Sequence, residues 1–317
     1  MMRVVLAYSG ALADSVAIPW LADHRGAEVV AVTVDLGQGK EVLEEIRDRA
    51  LATGALRAHV IDARELYLRD YILRGLRAGM LWHRGASMAR ALSIPVVAEK
   101  LAEVARIEQA RAVAHADRAG AASPIHKIVR AIDPSLDVEA PAAECAMNDR
   151  QQIEYARERG VPLPADMIGG VAVRAASRWP DEPAFVEVAF ERGVPVAVNS
   201  VLMPIGDLIA SLDILAAAHS VGAGALGLLH AAHDALQQTV LSPEADAFSA
   251  NVAGEYVRVL ADGAWFTPLR HALDAYVDTI QQEVAGTVRL KLFKGEATVH
   301  ECRRAALKRA VISLARG

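Results

Sequence analysis

The sequence predicts an α/β fold, a parallel doubly wound sheet followed by a smaller α+β domain. Three observations predict it. Strand-like apolar runs alternate with helix-period stretches through the first half of the chain. The run from Val4 to Tyr8 ends in Ser9-Gly10, and a second apolar run begins at Ser15, the pattern of a buried strand, a tight turn and a helix start. Past Pro183 the pattern changes to a hairpin and long helices.

Taken in order, Arg3–Tyr8 reads as a strand, Ser15–Asp23 as a helix, Glu28–Asp35 as a strand, Lys40–Thr53 as a helix and Arg57–Ile61 as a strand. Two helical stretches follow, Glu65–Gly79 and Ser87–Arg106. The second is interrupted at Pro95, because proline lacks the N–H donor and crowds the preceding turn. Arg111–His115 and Leu136–Glu139 are strands, and Asp149–Arg159 is a helix capped by Asp149. Strands alternating with helices make a parallel sheet covered on both faces, whose ligands bind beyond the carboxyl strand ends. Ser9, Gln38 and His115 all fall at such ends. Pro162–Pro183, rich in Pro, Gly and Ala, is a connection. Phe185–Phe190 and Val194–Val198 then form a hairpin around Glu191-Arg192-Gly193. Ile205–Ala218, Asp234–Leu241, Glu244–Ala261 and Leu269–Ala285 are helices, and Thr287–Phe293 and Ala297–Val299 are strands. The expected divisions are 1–165, 166–300 and a C-terminal helix or tail, 301–317, with Arg303-Arg304 and Lys308-Arg309 on a solvated helix face.

At 317 residues the chain can bury a substantial core in two domains. A net charge of −5 argues against nucleic-acid binding, which needs a cationic surface. Cys145 and Cys302 form no disulfide framework, as expected of a cytoplasmic protein in a reducing interior. Met1-Met2-Arg3 runs straight into a strand, so no signal peptide is expected, and no apolar run has the length of a membrane span.

The first turn suits an anion. Unpaired backbone N–H groups converge there, and the helix N-terminus carries partial positive charge. Neither G-x-x-x-x-G-K-[ST] nor G-x-G-x-x-G is present, and joints with a single glycine also occur where nothing binds. Several blocks narrow the choice. Ala7-Tyr8-Ser9-Gly10, with Leu12 and Ser15, resembles the AYSGGLDTS loop of the argininosuccinate synthase family of PP-loop (N-type) ATP pyrophosphatases. Ala31–Gly39 resembles that family's second strand and adenine-side turn, and Ala112–His115 the strand before its substrate loop. Ile153–Ala156 with Gly160-Val161-Pro162 resembles a later helix and turn, and Trp265–Arg270 and Gly286–Leu292 its C-terminal part. The resemblance implies an adenine nucleotide alpha hydrolase-like sheet, ATP and Mg2+ as cofactors, and a carbon–nitrogen ligase releasing AMP and pyrophosphate. In the family, the ureido oxygen of citrulline is adenylated and the amine of aspartate displaces AMP.

Carried onto this chain, the family's nucleotide contacts fall on Ala7, Tyr8, Ser9, Gly10, Ser15, Val34, Gln38 and His115. Three loop positions depart: the second glycine is Ala11, the aspartate is Ala13 and the threonine is Asp14. A left-handed backbone at Ala11 would cost about 1–2 kcal/mol. Asp14 brings a charge toward the phosphates. Two unit charges about 4 Å apart repel by roughly 4 kcal/mol at an effective dielectric of 20, a sign that magnesium between them reverses. Asp14 is thus the candidate catalytic and magnesium-holding residue, on the reading that the acidic group has moved one place; the alternative is that the loop no longer binds triphosphate. The TGKGND substrate loop is replaced by a shorter stretch in which Asp117, Arg118, Ser123, His126 and Lys127 supply a different polar set; solvated loop residues explain each of them equally well. Arg118 and Ser123 are candidate substrate contacts, with Arg174 as the remnant of the N-L-W-x-R-S-x-E block. The family's tyrosine falls on Ala86 or Ser87, its arginine before Pro95 on Ile94, and a segment carrying E-N-R and K-S-R-G-x-Y-E is missing between Gly222 and Gly227. Removing a buried polar partner without replacing it costs about 1–3 kcal/mol each time, so with several lost together recognition of citrulline and aspartate should not survive. His230 and His233 have a spacing that suits a metal, but the family carries a structural histidine in this region and no metal site is expected there.

Two readings follow. One is an argininosuccinate synthase-like ligase with altered, amino-acid-like substrates. The other is a catalytically inactive paralogue, a nucleotide- or partner-binding scaffold. A homo-oligomer, dimer or tetramer, comes with the resemblance, although the chain ends soon after Val299, where the family continues into a further arm.

Overall fold

Val4, Val5 and Leu6 are fully buried because the strand that carries them, β1 (Met2–Ala7), has a neighbour on each side and helices over both faces. The computed structural model describes residues 2–163 and 180–305. Within these, two units are distinguished: 2–75, 88–163 and 254–274 form the first, and 76–87, 180–253 and 275–305 the second.

The first unit follows the expected alternation. β1 leads through α1 (Leu12–Arg25) to β2 (Ala27–Asp35), then through α2 (Lys40–Ala52) to β3 (Arg57–Asp62). The helical stretch α3 (64–77) is wound as a π-helix over Tyr67–Ile72. Next come α4 (Ala89–Ile107), β6 (Ala112–Ala114), α5 (Pro124–Ile132), β7 (Asp137–Glu139), a short α6 (Pro141–Glu144) and α7 (Asp149–Glu158). The strands form one sheet in the order β3-β2-β1-β6-β7, and every pairing is parallel, with Val4 opposite both Val29 and Ala112. The chain winds outward from β1 to β3 in one direction and then to β6 and β7 in the other. The carboxyl ends of β1 and β6 therefore flank the point where strand order reverses, where open α/β sheets bind ligands.

Two local expectations are corrected. Pro95 does not interrupt α4, which runs through it. The cap of α7 is Asn148, not Asp149: Asn148 Oδ1 accepts from Gln151 N–H and Gln151 Oε1 from Asn148 N–H, a reciprocal box that leaves Asp149 as the first helical residue.

The second unit holds a short hairpin, β4 (Trp82–His83) with β5 (Ala86–Ser87), that the sequence pattern does not signal. Its main sheet is antiparallel, ordered β10-β9-β8-β11-β12, from β8 (Ala184–Glu191), β9 (Val194–Val198), β10 (Val201–Leu202), β11 (Gly286–Phe293) and β12 (Glu296–Arg304). Buried and outward residues alternate along β8 and β11, as in a sheet with one packed face. The expected hairpin turns on Arg192 and Gly193, both at positive φ, which matches the right-handed twist of its strands. Four helices complete the described chain: α8 (Ile205–Ala218), α9 (Gly224–Val240), α10 (Pro243–Ala261) and α11 (Pro268–Ile280). Helix α9 begins ten residues before the Asp234 start read from the sequence. Arg303 and Arg304 lie on β12 rather than on a terminal helix, opposite Thr287 and Gly286. Lys308 and Arg309, Arg174, and most of the expected Pro162–Pro183 connection lie outside the described residues.

Candidate functional site

The turn after β1 is pinned from below. Tyr8 N–H donates to Val32 O at 2.9 Å, and Thr33 Oγ1 donates to Tyr8 O at 2.8 Å, so the chain leaves the sheet along β2. Gly10 takes up the left-handed backbone, φ +80°, and a Cβ there would stand 3.0 Å from Ile46 Cγ1 and 3.3 Å from Arg49 Nη1. Ala11 has φ −67° and ψ 159°, ordinary backbone for alanine. The strain expected at Ala11 is therefore absent, because the left-handed residue of this loop is the glycine that remains. Arg49, side chain largely buried, donates from Nη1 to Gly10 O at 2.9 Å and pairs with Glu45 on its own helix, which fixes the Gly10 carbonyl and hence the next peptide plane.

Beneath the loop the hydroxyls of Tyr8 and Ser15 are 2.9 Å apart, both residues buried. Burial raises the Tyr8 pKa, so it stays a neutral hydroxyl. Asp14 is the third residue of α1. Its Oδ2 accepts from Ser9 N–H at 2.7 Å and from Ser9 Oγ–H at 2.6 Å, and the Ala11 N–H faces the carboxylate closely enough to help lower its pKa. Burial raises its pKa, against the lowering effect of those donors.

A cleft of about 950 Å³ opens beyond the carboxyl ends of β1, β2 and β6, wholly within the first unit. The first turn contributes Ala7, Tyr8, Ser9 and Asp14, and the end of β2 contributes Val34, Leu36 and Gln38. The stretch after β6 adds His115, Asp117, Arg118 and Ser123. Gly10 and Ser15 shape the loop without lining the cleft. The Gln38 side chain folds back on its own strand end: Oε1 accepts from Leu36 N–H at 2.6 Å, and Nε2 donates to Val34 O at 2.9 Å.

His115 is 2 % exposed, and its pKa is pushed down to about 4 by burial and by His126, edge-on at 5.7 Å between ring centroids. It is neutral at pH 7. Nδ1 accepts from Asp117 N–H at 3.3 Å, so the proton is assigned to Nε2, a buried donor with no partner among the described residues. The substrate-loop groups are largely satisfied by one another. Ser123 Oγ donates to Asp117 Oδ2 at 2.6 Å, and Arg118 pairs with Asp149. Arg90 and Ser93 of α4, with Val42 and Ile46 of α2, also line the cleft. None of these four, nor Arg49 or Thr33, was signalled by the sequence. Only the fold turns Arg49 under the loop, where it bonds Gly10 O.

His233 is buried in the second unit, with Nε2 2.9 Å from Gln281 Oε1, a satisfied core histidine. Among the described residues no three His, Cys, Asp or Glu side chains are grouped to hold a metal. No described helix is long and apolar enough to cross a membrane.

Comparison with known proteins agrees with this geometry. The family model for the "Arginosuccinate synthase N-terminal HUP domain" matches residues 3–162, and that for the "Arginosuccinate synthase C-terminal domain" matches 223–309. The chain belongs to the argininosuccinate synthase family. It is 33% identical to the argininosuccinate synthase of Geobacillus kaustophilus over 94% of this chain and 85% of that protein. It is 34% identical to the argininosuccinate synthase of Rubrobacter xylanophilus over 94% and 84% respectively. Among solved structures, a 4-thiouridine synthetase–RNA complex with bound ATP is similar over 50% of this chain at 19% identity and a TM-score of 0.37. Family membership places the chain among ATP-dependent ligases on an ATP-using PP-loop sheet. Against the family loop AYSGGLDTS, the alanine at the second glycine is conformationally neutral here. The aspartate at the threonine position is the change with structural consequences, because it bonds the loop's own donors.

Proposed function

We propose that this chain is an ATP-dependent carbon–nitrogen ligase of the argininosuccinate synthase type, acting on amino-acid-like substrates that differ from citrulline and aspartate. The observation that carries the reading is the cleft at the strand-order reversal, where the donors of Ser9 and Ala11 and the end of β2 line one cavity with the His115–Ser123 stretch. ATP lies with its phosphates on the Ser9–Ala11 turn and its base toward Val34, Leu36 and Gln38. The Ser9 hydroxyl and turn N–H groups hold the phosphates and stabilise charge as pyrophosphate leaves. Arg49 and the buried Tyr8–Ser15 pair keep the turn in shape.

The residues fit a magnesium ion that arrives with the nucleotide rather than one held by a protein cage. Asp14 and Asp117 are the only carboxylates lining the cleft among the described residues, and Mg2+ at such sites binds through one or two carboxylates plus phosphate oxygens. Released from Ser9, Asp14 would hold it, and when bound it neutralises phosphate charge. In the reaction a carbonyl or ureido oxygen of one substrate forms a bond to the α-phosphorus as the bond to pyrophosphate breaks. The amine of the second substrate then forms the carbon–nitrogen bond as the carbon–oxygen bond to AMP breaks. Arg90, Arg118, Ser123 and the unmet Nε2–H of His115 are the groups toward the acceptor, and Arg174 is a further candidate by resemblance. A homo-oligomer is proposed from the family.

One observation favours the scaffold reading. The substrate-loop groups Asp117, Ser123, Arg118 and Asp149 already bond one another, as expected of a loop with no substrate to meet. Calorimetry of ATP with magnesium decides the first step. The ligase reading expects micromolar binding, weakened at least tenfold by Ser9→Ala, and pyrophosphate release with some pair from an amino-acid panel. Binding without turnover across the panel leaves the scaffold, and no ATP binding at all overturns the reading.

A further inference from the structure

We propose that the nucleotide cleft of the free protein is held by its own side chains, Asp14 on the phosphate donors and Gln38 on the base-side backbone, so that nucleotide binds by exchange rather than by filling an open seat. The proposal rests on the ATP-binding reading above and adds a mode of regulation to that site.

The phosphate end carries most of the argument. A single carboxylate oxygen, Asp14 Oδ2, takes the Ser9 N–H at 2.7 Å and the Ser9 Oγ–H at 2.6 Å. These are the outward donors of the turn at the start of α1, the groups that would bind a phosphate oxygen. A carboxylate oxygen is the nearest protein equivalent of a phosphate oxygen in charge and in accepting geometry. Asp14 and an incoming phosphate therefore compete for the same hydrogens and also repel each other. The resembled family loop has threonine here, which carries no charge to compete, so the device belongs to this chain's own substitution.

The other end repeats the pattern independently. The Gln38 carboxamide offers one acceptor and one donor side by side, to Leu36 N–H at 2.6 Å and Val34 O at 2.9 Å. A 6-aminopurine presents the same adjacent pair, a ring nitrogen that accepts and an amino group that donates; a 6-oxopurine presents the reverse. Both side chains line the one cleft, and both sit in self-satisfied, ligand-like contacts. Helix capping is the competing explanation for Asp14, since a third-residue acidic side chain commonly reaches back to the N-cap N–H. Capping requires only a bond from the N-cap Ala11 N–H; the two bonds from Ser9, beyond the cap, are what exchange accounts for.

The experiment is calorimetry in EDTA, which removes any magnesium bridge, on the wild type, Asp14→Ala, Asp14→Asn and Gln38→Ala, with tripolyphosphate, adenosine and ATP as probes. Exchange expects Asp14→Ala to bind tripolyphosphate and ATP at least tenfold more tightly than the wild type. Asp14→Asn, which keeps an acceptor in the seat but loses the charge, should fall between. Gln38→Ala should tighten adenosine several-fold and leave tripolyphosphate unchanged. Circular dichroism checks that each variant is folded, and Asp14→Asn carries the test if Asp14→Ala is not. Equal or weaker polyphosphate binding by the folded Asp14 variants overturns the proposal while leaving the ATP reading intact, provided the wild type binds ATP with magnesium. If neither wild type nor variants bind ATP with or without magnesium, both fall together.

Discussion

The loop geometry makes a paired prediction that the sequence alone would have set the other way. Set against the family loop, Ala11 looks like the damaged position and Ala11→Gly like its repair. In the structure Ala11 sits at φ −67° and Gly10 at φ +80°. Gly10→Ala must put a side chain on a left-handed backbone, at about 1–2 kcal/mol. It must also fit a Cβ 3.0 Å from Ile46 Cγ1 and 3.3 Å from Arg49 Nη1, so the neighbours have to give by some tenths of an ångström. The expected total is about 2 kcal/mol of lost stability, with the Gly10 carbonyl pushed off Arg49. Ala11→Gly meets two opposed effects. Loss of Ala adds about 0.4–1 kcal/mol of unfolded-chain entropy, and glycine is the better N-cap residue by a similar amount. The result is within about 0.5 kcal/mol of zero. Urea unfolding followed by tryptophan fluorescence reads both, since Trp20 and Trp265 are buried in this unit. ATP titration should show Gly10→Ala weakened at least tenfold and Ala11→Gly little changed. A stable Gly10→Ala, or an Ala11→Gly more stable than wild type by over 1 kcal/mol, refutes the backbone assignment on which the site rests.

Further outcomes follow from the buried charges. His115 and His233 are buried with pKa values of about 4, each pushed down chiefly by burial. Their unfolded forms titrate near 6.5, so between about pH 6.5 and pH 4 the unfolded chain binds more protons. Stability should therefore fall as pH drops through that window, by up to about 3 kcal/mol per histidine, and His233→Gln should flatten the slope; a pH-independent denaturation midpoint there would sink the assignment. Glu108, 4 % exposed, accepts from Arg57 at 2.8 Å and from Arg3 and lies 2.9 Å from His59. Burial raises its pKa, but His59 and Arg57 outweigh that and hold it below the usual glutamate range. Its contribution is thus full above that range and lost as pH falls through the lowered value. With half-exposed partners, Glu108→Gln should cost about 1–2 kcal/mol at pH 7 in urea titration, and a neutral result would count against the pairing. Arg49→Met should remove the bond to Gly10 O and cost about 1.5 kcal/mol, with nucleotide binding weakened in parallel; loss of stability with binding untouched would remove Arg49 from the site.

The framework of the first unit was legible because its signals are local and repeated. Periodicity and turn residues fix β1, β2 and β3, and a parallel sheet places their ends together, so Ser9, Gln38 and His115 meet as their positions implied. Sequence and structure part where a tertiary interaction overrides a local rule. Pro95 sits inside α4 because packing holds that helix on both sides of it, with Leu92, Val96 and Leu101 fully buried. Glu296–Arg304 is one strand because β11 pairs along its length, whereas its sequence has too little alternation to show more than Ala297–Val299 near its start. Backbone conformation was the other blind spot: whether position 10 or 11 is left-handed depends on how Arg49 and Ile46 come up beneath the loop, some forty residues on in the chain.

The same bonds bear on whether the substituted loop is a ruin or a working part. A turn of this shape needs a left-handed residue and fixed carbonyls whether or not a ligand is present. Here the turn is held on every side: Thr33 on the Tyr8 carbonyl, Arg49 on the Gly10 carbonyl, the Tyr8–Ser15 pair beneath, and Gly10 still left-handed. The N–H of Ser9 is bonded by the Asp14 carboxylate. The substrate side differs, since Nε2 of His115 is buried with no protein hydrogen-bond partner among the described residues. On the proposed reading, the turn and the His115 donor set the order of experiments: nucleotide first, then an acceptor that can take a hydrogen bond from a neutral imidazole.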